Sequence, residues 1–85
     1  MKEQKEFDTL YNRVRKAFHL QRHTKIDIKG KILIEIMELD RWDEIRKTVV
    51  RVNRDDVEEG YRIAKDMLKF YIKKREREFY DYFIE

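Results

Sequence analysis

The chain has 85 residues and a formal charge of +3, from 21 Lys+Arg against 18 Asp+Glu, with no Cys, no Pro and two Gly. That length fits one domain, and the missing cysteines exclude a disulfide framework and any cysteine-ligated metal. No apolar run approaches the roughly 18–20 residues of a membrane span, and the Lys/Glu-rich start does not read as a signal peptide, so a cytoplasmic protein without membrane association is expected. Charged residues make up 46% of the chain, yet one Trp, five Tyr, five Phe and a periodic apolar pattern argue against disorder.

The first element is a helix over about residues 4–23. Phe7, Leu10, Tyr11, Val14 and Phe18 recur at helical spacing on one stripe, while Asp8, Asn12, Arg15, Lys16, His19, Arg22 and His23 fall on the opposite face. From Lys25 the period changes to two: Ile26, Ile28, Ile32, Ile34 and Ile36 alternate with charged residues, which predicts a strand over about 25–39. Gly30 permits either a bulge within this strand or a turn at Lys29-Gly30 that makes residues 25–28 a separate short strand.

Residues 45–52 admit two readings, because Trp42, Ile45, Val49 and Val52 also stand at helical spacing. The β-branched cluster Thr48-Val49-Val50 favours a strand. Folding the chain about Trp42 pairs Ile32 with Val52, Ile34 with Val50, Ile36 with Thr48 and Glu38 with Arg46, leaving an unbroken apolar row on one face. After Asn53 a helix is expected over about 55–84. Asp55 or Asp56 caps it, Glu58 and Glu59 suit the dipole in its first turn, and Val57, Tyr61, Ala64, Leu68, Tyr71 and Ile72 form its main stripe. The fold class is therefore α+β: an N-terminal helix, an antiparallel β-hairpin or three-stranded meander, and a long C-terminal helix.

The chain contains no Ser or Cys, which removes the usual Ser–His and Cys–His nucleophiles. Gly30 and Gly60 are isolated and form no phosphate loop. His19 and His23, four apart on the expected helix, offer half a zinc site without a third ligand. Asp27, Glu35, Glu38 and Asp40 lie on or near a strand, as magnesium ligands do in some nucleases, but no lysine follows at the matching offset and Glu38 has a cross-strand partner. A non-enzymatic protein without metal or other cofactor is expected.

The order helix, hairpin or meander, helix resembles that of double-stranded-RNA-binding domains. Those domains open their second helix with a lysine cluster that touches phosphates. Here that turn reads Asp55-Asp56-Val57-Glu58-Glu59, and acids would repel the backbone. The likeness is one of topology alone.

Charge is segregated along the chain. Residues 11–31 hold seven bases against one acid, a net +6; residues 35–59 hold five bases against nine acids, a net −4; residues 62–77 hold seven bases against two acids, a net +5. The first segment suggests a binding module for DNA or RNA, with Arg13, Arg15, Lys16, Arg22, Lys25, Lys29 and Lys31 as phosphate contacts. The alternative is a protein-interaction module, an adaptor or inhibitor. Ile63, Met67 and Phe70 form a second stripe on the last helix, and with Phe79, Tyr82 and Phe83 they make a candidate homodimer interface.

Overall fold

The fold is taken from a computed structural model that describes residues 2–84, with side chains described over residues 2–78. The element order is α1 (Lys2–Val14), β1 (Leu20–Ile26), β2 (Ile32–Leu39), β3 (Ile45–Arg54) and α2 (Val57–Ile84). The strands form an antiparallel sheet in the order β1-β2-β3, so the meander is the form adopted. Both helices cover one sheet face. The core is Phe7, Leu10, Tyr11 and Val14 of α1, Leu20 of β1, Ile32, Ile34 and Ile36 of β2, Val50 and Val52 of β3, and Tyr61, Ala64, Leu68 and Tyr71 of α2. The helical stripes read from the sequence thus face the core, and of the period-two isoleucines Ile32, Ile34 and Ile36 are buried, whereas Ile26 and Ile28, at the end of β1 and in the turn after it, are exposed.

The N-terminal helix is shorter than expected. Regular helix ends at Val14, and residues 20–23 belong to β1 rather than to the helix. The stop is a Schellman-type termination: Leu20 N donates to Arg15 O at 2.8 Å and His19 N to Lys16 O at 3.4 Å. His19 takes the left-handed conformation, φ 55°, that glycine usually supplies there. With histidine in that position, the sequence offers no visible stop signal. His19 and His23 consequently share no helical face: His19 closes the turn and reaches Asp43 Oδ1 at 2.8 Å, while His23 lies exposed on β1.

Residues 45–52 are strand, and the hairpin register differs from the expected one by two residues over most of its length. Ile34 pairs with Val52 and Ile36 with Val50, whereas Leu39 still pairs with Ile45 beside the turn. Two register shifts, between Ile36 and Met37 and between Glu38 and Leu39, leave Val49 and Arg46 as extra residues in β3. Because two slips of one residue restore the side-chain parity, Val50 and Val52 remain on the buried face.

The two hairpin turns are built alike. In the first, Asp27 Oδ1 accepts from Lys29 N and Lys31 N, both at 2.9 Å, and Gly30 has φ 85°. In the second, Asp40 Oδ1 accepts from Trp42 N at 2.8 Å and Glu44 N at 3.1 Å, and Asp43 has φ 62°. Each is an Asp-opened turn closed by a left-handed residue three positions on. Lys29-Gly30 is therefore a turn and residues 20–26 a full strand.

Asp56 caps α2, its Oδ1 accepting from Glu59 N at 3.0 Å. The helix runs unbroken for 28 residues, about 42 Å at 1.5 Å per residue. Its length gives the molecule extents of 50 × 26 × 17 Å. Among the described residues no helix is long and apolar enough to cross a membrane.

Candidate nucleic-acid interface

The basic residues singled out from the sequence are not brought together as one patch. Arg13, Arg15 and Lys16 are exposed at the C-terminal end of α1, whereas Lys25, Lys29 and Lys31 are exposed around the β1–β2 turn. The seven residues of β1 separate these groups, about 23 Å at 3.3 Å per residue. The β1–β2 turn is at the same end of the sheet as the start of α2, since Ile32 pairs with Arg54. Asp55, Asp56, Glu58 and Glu59 are exposed there and oppose the lysine charges.

Arg22 has a structural task. Its Nη1 donates to Asp8 Oδ1 at 2.6 Å and its Nε to Thr24 Oγ1 at 2.8 Å. The guanidinium carbon lies 4.8 Å from the Phe7 ring centroid, a cation–π contact at the rim of the core. The positional cause is β-strand parity: Arg22 pairs with buried Ile36 and so points to the helix layer.

The helix layer assembles a different basic surface. Because α1 and α2 pack side by side, Lys2, Lys5, Thr9 and Arg13 of α1 line a shallow groove opposite Lys69. The same groove continues past Leu10 and Arg13 to Phe70 and Lys73. Further along α2, Lys73, Lys74 and Arg77 surround Phe70. Among the described residues none of Lys2, Lys5, Arg13, Lys69, Lys73, Lys74 and Arg77 forms an ion pair. Phe70 is 72% exposed in their midst.

Two acids beside the groove, Glu3 and Glu6, are engaged. Lys65 Nζ donates to Glu3 Oε2 at 2.8 Å and to Glu6 Oε2 at 2.5 Å, tying α1 to α2. Hydrogen bonds to Glu3 and then Glu6 hold the Lys65 ammonium above its ordinary pKa, and the bond from Lys65 holds the Glu6 carboxyl below its own. Asp66 also borders the groove, without an ion pair among the described residues.

The rotation of α2 that presents this surface is fixed from the other side. Glu38 is 3% exposed beneath the helix, where its Oε1 accepts from Arg75 Nη1 at 2.8 Å and its Oε2 lies 3.6 Å from Lys47 Nζ. Tyr71 is packed beside this carboxylate, and burial first, then the Glu38 charge, raises its hydroxyl pKa. With Tyr71 and Arg75 held inward, Phe70, Lys73, Lys74 and Arg77 must face out. Sequence reading registers the net +5 of residues 62–77, but one sequence does not reveal which α1 residues lie beside them.

Of the stripe read as a homodimer contact, Ile63 is half-buried against the core, and Met67 and Phe70 are exposed. The side chains of Phe79, Tyr82 and Phe83 lie outside the described residues. Among the described residues no three His, Asp or Glu are grouped as metal ligands.

No family model, curated protein or solved structure matches the chain.

Proposed function

We propose that this chain is a nucleic-acid-binding module, not an enzyme, and that it binds through the α1–α2 groove rather than through the Arg13–Lys31 segment. The observation that carries the reading is the set of seven exposed bases, unpaired among the described residues, flanking an exposed phenylalanine on one surface. Bases without intramolecular partners are available to neutralise phosphates, and release of the cations condensed on those phosphates drives association. Arg13 belongs to both the original segment and the groove; Arg22 contributes to stability instead.

A homodimer pairing α2 in parallel through Met67 and Phe70 would set Lys73, Lys74 and Arg77 of one copy against the same residues of the other. Like charges at close range oppose that arrangement. A cytoplasmic role agrees with the reading, since nucleic acid is the partner.

The test is a titration of ¹⁵N-labelled protein with a mixed-sequence oligonucleotide at low salt. The expected result is progressive amide shifts at Lys5, Thr9, Arg13, Lys69, Phe70 and Lys73, with Lys29 and Lys31 unchanged. Shifts centred on Lys25–Lys31, or none anywhere, would refute the assignment.

A further inference from the structure

We infer that the nucleic acid taken by this groove is single-stranded, with Phe70 serving as a stacking platform for an unpaired base. This rests on the nucleic-acid reading above and specifies its substrate. A duplex stacks its bases on one another and offers an outside protein phosphates, sugars and base edges. Its rigid backbone gains nothing from a phenyl ring standing outside the grooves. A single strand exposes the π-faces of its bases, and an aromatic side chain within a basic surface is the usual means of holding them without regard to sequence.

Phe70 has that setting. It is 72% exposed, although α2 carries ample polar surface elsewhere. It is framed by Lys73, Lys74 and Arg77, at three, four and seven residues further along, and borders the lysine-lined groove through Lys69. These bases supply charge complementarity to a phosphate backbone beside the ring and beyond it along α2, while the exposed Asp66 stands one turn before it. Phe70 lies midway along α2, and the acidic opening of that helix, Asp55 to Glu59, precedes it by three turns and works against a long rigid duplex lying along the molecule.

Two other anionic partners fit less well. A membrane surface favours a helix with a broad apolar face, but the exposed large apolar side chains described on α2 are only Met67 and Phe70. An acidic protein surface would match the lysines but gives no reason for a flat ring among them.

The experiment is fluorescence anisotropy at low salt, using labelled dT12 and U12 strands, a 12-base-pair duplex, and vesicles containing phosphatidylserine. The variants are Phe70→Ala and Phe70→Trp, each checked for folding by circular dichroism. Wild type should prefer the strands to the duplex. Phe70→Ala should weaken strand binding roughly 5- to 150-fold, the range seen when a stacking aromatic is removed, and Phe70→Trp should restore it. Duplex binding should change little in either variant.

Equal losses on strand and duplex, or strand binding unaffected by Phe70→Ala, would overturn the inference while leaving nucleic-acid binding intact. Vesicle binding that falls with Phe70→Ala while strand binding does not would assign the ring to a membrane. Absence of binding to any nucleic acid by the wild type would instead overturn the underlying reading. An increase in mass with protein concentration that Phe70→Ala abolishes would assign the ring to a second copy of the chain.

Discussion

Replacing Gly60 with Ala sets local helix preference against packing, and the two predict opposite signs. Gly60 is the fourth residue of α2, and its N donates to Asp56 O at 2.9 Å within the first turn. In a helix interior, Gly→Ala is worth about 1 kcal/mol of added stability. At Gly60, however, the new methyl would lie closer than 3.0 Å to Ile32 Cγ2, with Arg54 Cβ at 3.9 Å on its flank. Ile32 is 0% exposed and held in the middle strand, so it cannot retreat into solvent. Overpacking of this kind costs about 1–3 kcal/mol. The net expectation is a loss of about 1 kcal/mol, a fall of roughly 4–8 °C in Tm for a domain of this size. Urea unfolding followed by circular dichroism measures it, and a double-mutant cycle with Ile32→Ala isolates the cause. Ile32→Ala removes the γ-carbons the methyl would strike, so in that background Gly60→Ala should become neutral or stabilising. A Gly60→Ala protein more stable than wild type, or a cost unchanged by Ile32→Ala, would refute the close-approach argument.

Asp43→Gly should stabilise the protein by about 0.5–1 kcal/mol, because it gives the second turn the residue the first already has at its left-handed position and sacrifices only an exposed contact to His19; thermal melts decide it. Arg75→Ala should destabilise by about 3 kcal/mol, since it strips the 2.8 Å partner from a carboxylate that is 5% exposed. Adding Glu38→Gln should recover part of that loss in urea melts. The Lys65 cluster should shape the pH profile at both ends. Glu6 is depressed from 4.5, so its contribution holds above that value and is lost as pH falls below it. Lys65 is raised from 10.5 and the buried Tyr11 and Tyr71 from 10.0, so theirs hold below those values and are lost as pH rises. Urea midpoints should therefore decline at both extremes, and Lys65→Met should flatten the acid limb.

The parts of the fold legible in the sequence are those where burial follows a simple period. The 3.6-residue stripe from Val57 to Ile72 and the alternation from Ile32 to Ile36 both carry the core. What escapes is backbone geometry that residue type does not announce. A histidine stands at the left-handed stop of α1 and an aspartate at the same place in the second turn, so two breaks lack their glycine. The bulges at Arg46 and Val49 insert one residue each and move the register without disturbing the face pattern. The candidate interface escapes for a different reason. Its bases come from residues 2–13 and 69–77, and only the side-by-side packing of the two helices makes them neighbours. The periodicity of α1 also placed Arg22 among exposed cations, because a helix that truly ran to residue 23 would have put it there.

The salt dependence of binding tests the central claim most directly. With the seven bases of the groove and the adjoining Phe70 surface engaged on a single strand, the logarithm of the association constant should fall against the logarithm of salt concentration with a slope of about −5, at about 0.7 per phosphate. Changing Lys69, Lys73 and Arg77 to Gln should reduce that slope by about 2 and leave the fold intact, whereas changing Lys25, Lys29 and Lys31 to Gln should leave the slope unaltered. A slope near zero, or one reduced by the β1–β2 turn variant and not by the α2 variant, would contradict the assignment of the groove.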